Sequence, residues 1–417
     1  MPFALLAVAA AAVETEKMWT VIVDAGSTGS RLYVYHVGSA SVYSGGVSVK
    51  RGQKVRPGLA ALRAADAVAQ MASLFEDGAK LVPENERAAT RAIVRCTGGV
   101  RDLRDIERTD LLDAIFDGLR HIPFRLDRRD IGVVSGDDEA FYAFAAANFL
   151  EKRVDHKLNV VGPTLGALDL GGSSTQITYA MGACDNDNLR ASLFAKSYAG
   201  FGAHAVRDRV LASLRSAGAS TDPCSHAGFR GDDGFDGLGD LDACVAAIRV
   251  ALVDRVDDCA RNVDQNSTAS RRRRACAIDQ APVGTPPPNT TFLAMCNFFY
   301  AADAIRALGP PHHGGPLPDW PTPDLNHLYD LARSFCAIPW DTVEATMPGR
   351  HPYTPTNLLP SRCFDAAYVL VLLRDVYALD DFPRVTFALD ANGGADVEWT
   401  LGYFLSEVVA AAAAAKS

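Results

Sequence analysis

Two stretches of this chain carry the same residue pattern, and the pattern suits the holding of phosphate. Asp24-Ala25-Gly26-Ser27-Thr28-Gly29-Ser30-Arg31 and Asp169-Leu170-Gly171-Gly172-Ser173-Ser174-Thr175-Gln176 each follow an apolar run and precede an alternating one, LYVY or ITYA. Glycines let the backbone turn sharply, so that successive N–H groups point into one concavity and make an anion-binding nest. Serine and threonine hydroxyls add donors at the same place, and an aspartate at the strand end can hold a hydrated divalent cation. Neither copy ends in Gly-Lys-Ser/Thr, and a strand rather than a helix follows, so this is not a P-loop. One copy alone would read as an ordinary β-turn. Two copies with aspartate in the same place point to two homologous lobes facing a cleft, with a phosphate chain and its metal between them.

A third segment adds a base. Val134-Ser135-Gly136-Asp137-Asp138-Glu139-Ala140 reads as a strand-to-helix junction. Ser135 suits the N-cap, which puts Asp138 at the capping-box position. Glu139 is then free to face the cleft, where a carboxylate beside a water at the terminal phosphate is a general base. Any acid here also complements the helix dipole.

The elements that must position these groups alternate. Residues 19–37 predict strand, turn, strand; 58–82 a helix with Leu59, Leu62, Ala65, Val68, Met71, Leu74 and Phe75 on one stripe; 92–96 a buried strand. A helix over 109–122, a strand over 131–135 and a helix over 137–153 follow. Then come a second strand–turn–strand over 165–179 and a late helix over 364–377. This is an α/β protein. A chain of 417 residues is long enough for two lobes, and a net charge of −9 with no long basic tract argues against a nucleic-acid partner. The run Arg271–Arg274 and the pair His312, His313 read as solvated loops.

Three features point to the secretory pathway. Residues 1–17 begin with an apolar run of signal-peptide length, although no Lys or Arg precedes it. Nine cysteines, seven of them from Cys224 onward, show no zinc spacing and suit a disulfide-bearing lobe. Asn266 and Asn289 stand in glycosylation sequons.

Together these segments closely resemble the apyrase, or nucleoside triphosphate diphosphohydrolase, family. VIVDAGSTGSRLYVY (21–35), RCTGGVRDL (95–103), VVSGDDEAFYAFAAANFL (133–150), ALDLGGSSTQITY (167–179) and DVEWTLGYFL (396–405) match its five signature regions in order. The resemblance implies an actin-like fold of two ribonuclease-H-like lobes. It implies hydrolysis of terminal phosphates of nucleoside tri- and diphosphates with Ca²⁺ or Mg²⁺. Asp24 and Asp169 would hold the metal through water, with Thr97 and Trp399 framing that shell. Ser27, Thr28, Gly29, Ser30 and Arg31 would cradle one phosphate, and Gly171, Gly172, Ser173 and Ser174 the other. Glu139 would activate water that Ser174 and Gln176 position, and Tyr300 would stack on the base. Arg230 and Arg362 are the basic candidates for base recognition. The family's usual ATAGMR reads Cys96-Thr97-Gly98-Gly99-Val100-Arg101 here, and Ala140 and Ala143 replace usual glycines.

The resemblance further implies a leader or short anchor at 1–17, a first lobe of 18–135 plus 390–417 and a second lobe of 136–389. It pairs Cys224 with Cys259, Cys244 with Cys276 and Cys336 with Cys363, and leaves Cys96 free; Cys184 and Cys296 have no clear partner, though they could pair with each other. It suggests a lumenal Golgi or ER, or extracellular, enzyme that prefers UDP or GDP to ATP. Two alternatives stay open: a polyphosphate phosphohydrolase of the same fold, and a secreted nucleotide-binding protein without turnover.

Overall fold

The computed structural model describes residues 18–38, 47–252, 277–278, 281–310, 317–379, 384–391 and 395–409. Residues 1–17, Asn266, Arg271–Arg274, His312 and His313 lie outside them. The first sheet holds β1 (Met18–Gly26), β2 (Gly29–Val37), β3 (Val47–Val55), β4 (Arg91–Cys96) and β5 (Ile131–Val133) in the order β3-β2-β1-β4-β5. The pairs β1–β2 and β2–β3 are antiparallel, and β1–β4 and β4–β5 are parallel. The second sheet holds β6 (Gly166–Leu170), β7 (Ser174–Ala180), β8 (Leu193–Ala199), β9 (Phe292–Ala294) and β10 (Val385–Phe387), ordered β10-β9-β6-β7-β8. Its first three strands are again antiparallel and its last two parallel. The duplication seen in the hairpins therefore extends to whole sheets, and the two like lobes expected from them are present.

Alternation along each strand assigns its faces. On β1 and β2, Val21, Val23, Ala25, Leu32 and Val34 pack under α1 (Ala64–Ala79) and α3 (Asp105–Gly118). The opposite face, with Ile22, Tyr33 and Tyr35, joins a second core with α4 (Gly136–Leu150), Ala167, Leu293 and α11 (Trp399–Tyr403). That shared core joins the two sheets. The second sheet's other face is covered by α5 (Ala203–Ser216), α6 (Leu241–Leu252), α7 (Asn297–Leu308), α8 (Leu325–Cys336) and α10 (Arg362–Val371). The late strand β10 pairs only with β9 in that sheet.

Element bounds shift where local chemistry decides. The stripe over 58–82 is broken: Leu59–Ala61 is a 3-10 turn after Pro57-Gly58, and the helix proper starts at Ala64. Residues 98–101, α2 (Gly98–Arg101), form one helical turn after β4. The helix expected at 109–122 starts four residues earlier and ends at Gly118, and the 364–377 helix ends in a wide π turn over Leu372–Val376.

Cys336–Cys363 forms as expected and links α8 to α10, and Cys96 is free and buried. The other pairing is corrected: Cys224 bonds Cys244, not Cys259, and Cys244 is therefore not available to Cys276. The backbone explains it. Leu238 N–H donates to Asp222 O and Asp240 N–H to Pro223 O, which folds the start of α6 back onto the Asp222-Pro223-Cys224 loop. The two cysteine Cα atoms then lie 4.7 Å apart, within disulfide reach. Cys259 and Cys276 lie outside the described residues. Cys184 and Cys296 are both free rather than paired.

Candidate active site

Both hairpins present their aspartate in the same register. Asp24, near the end of β1, stands opposite Arg31 on β2, which stands opposite Lys54 on β3. Asp169, near the end of β6, stands opposite Gln176 on β7, which stands opposite Ser197 on β8. The tips meet: a β-carbon on Gly172 would lie 2.8 Å from Thr28 Cγ2 and 2.9 Å from Ser27 Oγ. The CTGG loop joins them, since a β-carbon on Gly98 would lie 1.9 Å from Ser173 Oγ. Glycine at 98 is what lets Ser173 occupy that space. Gly171 O and Gly172 O accept from the first amides of α5, which fixes the second turn. The sequence-predicted phosphate residues, Ser27 to Arg31 and Gly171 to Ser174, thus converge from two sheets.

Glu139 is delivered by α4. Ser135 caps that helix through the Asp138 N–H at 3.1 Å, and its hydroxyl meets Asp138 Oδ2 at 2.6 Å, as the sequence predicts. Arg190 and Lys196 take Asp138 and Asp137 as exposed ion pairs. Glu139 is left buried at 8% exposure, and Arg101 of α2 holds its Oε2 at 2.5 Å. Burial pushes the Glu139 carboxyl up to about 7, against the pull of Arg101 and with the nearby Asp169 charge adding to the rise. Gln176 Nε2 donates to Ser174 Oγ and to Ser197 Oγ, both at 2.9 Å, so the predicted Ser174–Gln176 pair is one fixed array.

Acid is concentrated here. Asp24 is held well above the usual carboxylate range by burial, then by the charges of Glu398 and Glu139. Burial pushes Asp169 up to about 6, against a hydrogen bond from the Cys296 thiol. Glu398, immediately before α11, is raised by burial although Arg31 at 3.8 Å and Arg51 at 3.6 Å flank it and Tyr33 donates to it. Asp24 Oδ1 is buried without a hydrogen-bond partner. Crowded, desolvated carboxylates with an open acceptor fit a divalent cation. Among the described residues, no three acidic, histidine or cysteine side chains converge to grip a bare ion, so the fit is to a hydrated one. Thr97 is buried at the start of α2, with its N–H on Ala25 O at 3.1 Å. Trp399 is 5% exposed and packs against Tyr142 and Tyr403, with Glu398 next to it in the chain.

Tyr300, on α7, is half-buried near Cys296, Glu398 and Arg31, and its ring centroid is 5.5 Å from that of the exposed Tyr353. Arg362 donates to Tyr353 O, Thr354 Oγ1 and Asp365, so it holds the Tyr353 loop instead of reaching for a base; Arg230 pairs with Asp236. Sequence reasoning gave no part in the site to Arg101, Lys54, Ser197, Cys296, Tyr353 or Glu398. Arg101 and Glu398 sit inside signature segments and were visible there. Cys296 carried no signal: it takes a left-handed φ of 53° between β9 and α7.

Over 93% of its length the chain is 26% identical to probable apyrase 5 of Arabidopsis thaliana, covering 81% of that protein. It is 25% identical, with the same two coverages, to ectonucleoside triphosphate diphosphohydrolase 8 of Rattus norvegicus. The crystal structure of nucleoside triphosphate hydrolases from Neospora caninum superposes with a TM-score of 0.63 at 16% identity, covering 94% of this chain and 92% of that one, which shows the shared two-lobed actin-like fold. The family model for the GDA1/CD39 (nucleoside phosphatase) family matches residues 10–416, and with two phosphate hairpins and a buried glutamate between two like sheets, this chain is an enzyme belonging to that family.

Proposed function

We propose that this enzyme hydrolyses the terminal phosphate of nucleoside di- and triphosphates with Ca²⁺ or Mg²⁺, by water that Glu139 activates. The observation that carries the reading is Glu139 itself, a buried carboxylate poised near neutrality beside Asp169. Asp24 and Asp169 would hold the hydrated ion, with Thr97 and Trp399 at the edge of its shell. The ion supplies charge neutralisation of the phosphate oxygens.

The chain's own groups do the rest. Ser27, Thr28, Gly29, Ser30 and Arg31 bind one phosphate, and Gly171, Gly172, Ser173 and Ser174 the other. The Gln176–Ser174 array orients a water in line with the terminal phosphorus. Glu139 takes its proton as the new bond from water oxygen to the terminal phosphorus forms, the bond to the bridging oxygen breaks, and the shortened nucleotide departs with that electron pair on its own phosphate oxygen. Arg101 stays beside Glu139 and holds its carboxylate in place. Tyr300 and its neighbour Tyr353 offer aromatic faces for the base.

Two disulfides among the described residues and the exposed Asn289 sequon support action in the secretory pathway or outside the cell. The preference for UDP or GDP over ATP is part of the proposal and is read out by the substrate panel below. Among the described residues no helix is long and apolar enough to cross a membrane. The test is phosphate release from a panel of nucleoside di- and triphosphates and long-chain polyphosphate, with Mg²⁺, Ca²⁺ or EDTA. Release from nucleotides, abolished by EDTA, is expected. Release from polyphosphate alone would move the reading to that substrate, and release from none would leave a binding protein.

A further inference from the structure

The edge strand β3 is irregular at one place, and the irregularity faces the site. Arg31 pairs with Lys54, but Tyr33 pairs with Arg51, so two steps on β2 match three on β3. The extra residue is a β-bulge at Gly52-Gln53. In a regular strand, residues three apart point to opposite faces. The bulge instead brings both Arg51 and Lys54 to the face that carries Asp24 and Glu398. Arg51 is used at once, 3.6 Å from Glu398 Oε1. Lys54 is not: its ammonium donates to Thr28 Oγ1 at 3.0 Å, and among the described residues it meets no carboxylate at ion-pair distance. It is solvent-exposed, and the charges of Asp24, Arg31 and Arg56 lie near it. An ammonium has three donors, so two remain for a ligand.

We propose that Lys54 is a phosphate-binding residue, its ammonium and the Thr28 hydroxyl donating to the same nucleotide phosphate. The proposal rests on the first hairpin being a phosphate cradle. It adds a cation from outside both repeated hairpins, on the first lobe only, where the second lobe has the neutral Ser197 in the equivalent row. A charge-assisted hydrogen bond to phosphate is among the stronger ones, so its loss should weaken binding about tenfold to a hundredfold.

The experiment measures UDP binding by calorimetry in Mg²⁺, in an E139Q background that blocks turnover. Lys54→Met should raise Kd by that factor, and Lys54→Arg should recover most of it. A purely positioning Lys54 would act only by holding Thr28 in place, so Thr28→Val and the double variant close a cycle. If Lys54 touches phosphate, the double variant binds about tenfold more weakly than Thr28→Val alone; if the two bind equally, the proposal is overturned. Unchanged Kd in Lys54→Met also overturns it, while phosphate release by the unsubstituted enzyme, measured in parallel, shows whether the hydrolase reading itself stands. Circular dichroism of each variant confirms folding, which is expected because the Lys54 side chain is exposed.

Discussion

The two hairpins share spacing, strand register and aspartate, and differ in what stands beside the aspartate. Across from Asp24 is Arg31, with Lys54 one strand further; across from Asp169 is Gln176, with Ser197 one strand further. One half carries positive charge and the other a chain of neutral donors ending at Ser174. Glu139 arrives on the neutral side, near Asp169. The duplicated motif has thus diverged in the charge it places beside each aspartate. On the proposed function, the first half adds cations to its phosphate cradle, and the second adds the neutral Gln176–Ser174 array that positions water, with Arg101 holding the base Glu139 from α2.

The aspartates are the shared part, so their loss should be the largest and most symmetrical effect. Asp24→Ala and Asp169→Ala should each bring phosphate release to background, and EDTA should do the same to the unsubstituted enzyme. Full activity in EDTA would refute the metal reading whatever the variants did. Next in size, Glu139→Gln should keep the fold and lose about 10²–10⁴-fold in kcat, the usual scale for a general base. A variant that kept most of its kcat would remove Glu139 from the mechanism and direct attention to Asp138.

These residues were legible because the chemistry of each lies in a short segment. Asp24 and Asp169 close apolar strands, and the Ser135 cap explains why Asp138 turns away and Glu139 turns in. The duplicated sheets follow from the duplicated hairpins. What stayed hidden depends on contacts between distant segments. Lys54 reaches the site through a bulge that strand alternation does not foresee. Glu398 matters because Tyr35 OH on Thr400 Oγ1, at 2.8 Å, and Arg95 on Tyr403, at 3.0 Å, dock α11 against the first sheet. Cys244 found Cys224 because a loop folded back by backbone hydrogen bonds, which cysteine spacing alone does not encode.

The division of labour sharpens with paired substitutions. Arg31→Gln should raise KM about tenfold with a smaller change in kcat, since it removes charge from the binding half. Gln176→Ala should lower kcat about tenfold and leave KM nearly unchanged, since it releases the water-positioning array. If both variants moved KM and kcat alike, the two halves would not be specialised. A smaller effect concerns pH. Glu139 must be ionised to accept a proton, and burial disfavours its ionised form, so kcat should fall as pH drops through about 7, above the ordinary glutamate range. Arg101 lowers that midpoint, so Arg101→Met should move the acid limb to higher pH.

The smallest effect on activity should come from how the lobes are held together. Both disulfides among the described residues lie in the second lobe, where Cys224–Cys244 spans 20 residues and Cys336–Cys363 spans 27. The first lobe has the free, buried Cys96 and relies on packing under α1 and α3. Cys336 and Cys363 are fully buried in the helical layer, away from the hairpins, so their bond acts on the unfolded chain more than on the site. On the chain-entropy model a loop of this length is worth about 3–4 kcal/mol. The double variant Cys336→Ala, Cys363→Ala should therefore melt at lower temperature by several degrees while its folded fraction keeps kcat and KM for UDP. Loss of kcat in step with loss of the bond, at a temperature where circular dichroism shows the variant folded, would mean that the second lobe's helical layer sets the geometry of the Ser174–Gln176 array, and that the water-handling half depends on its staples in a way the phosphate-gripping half does not.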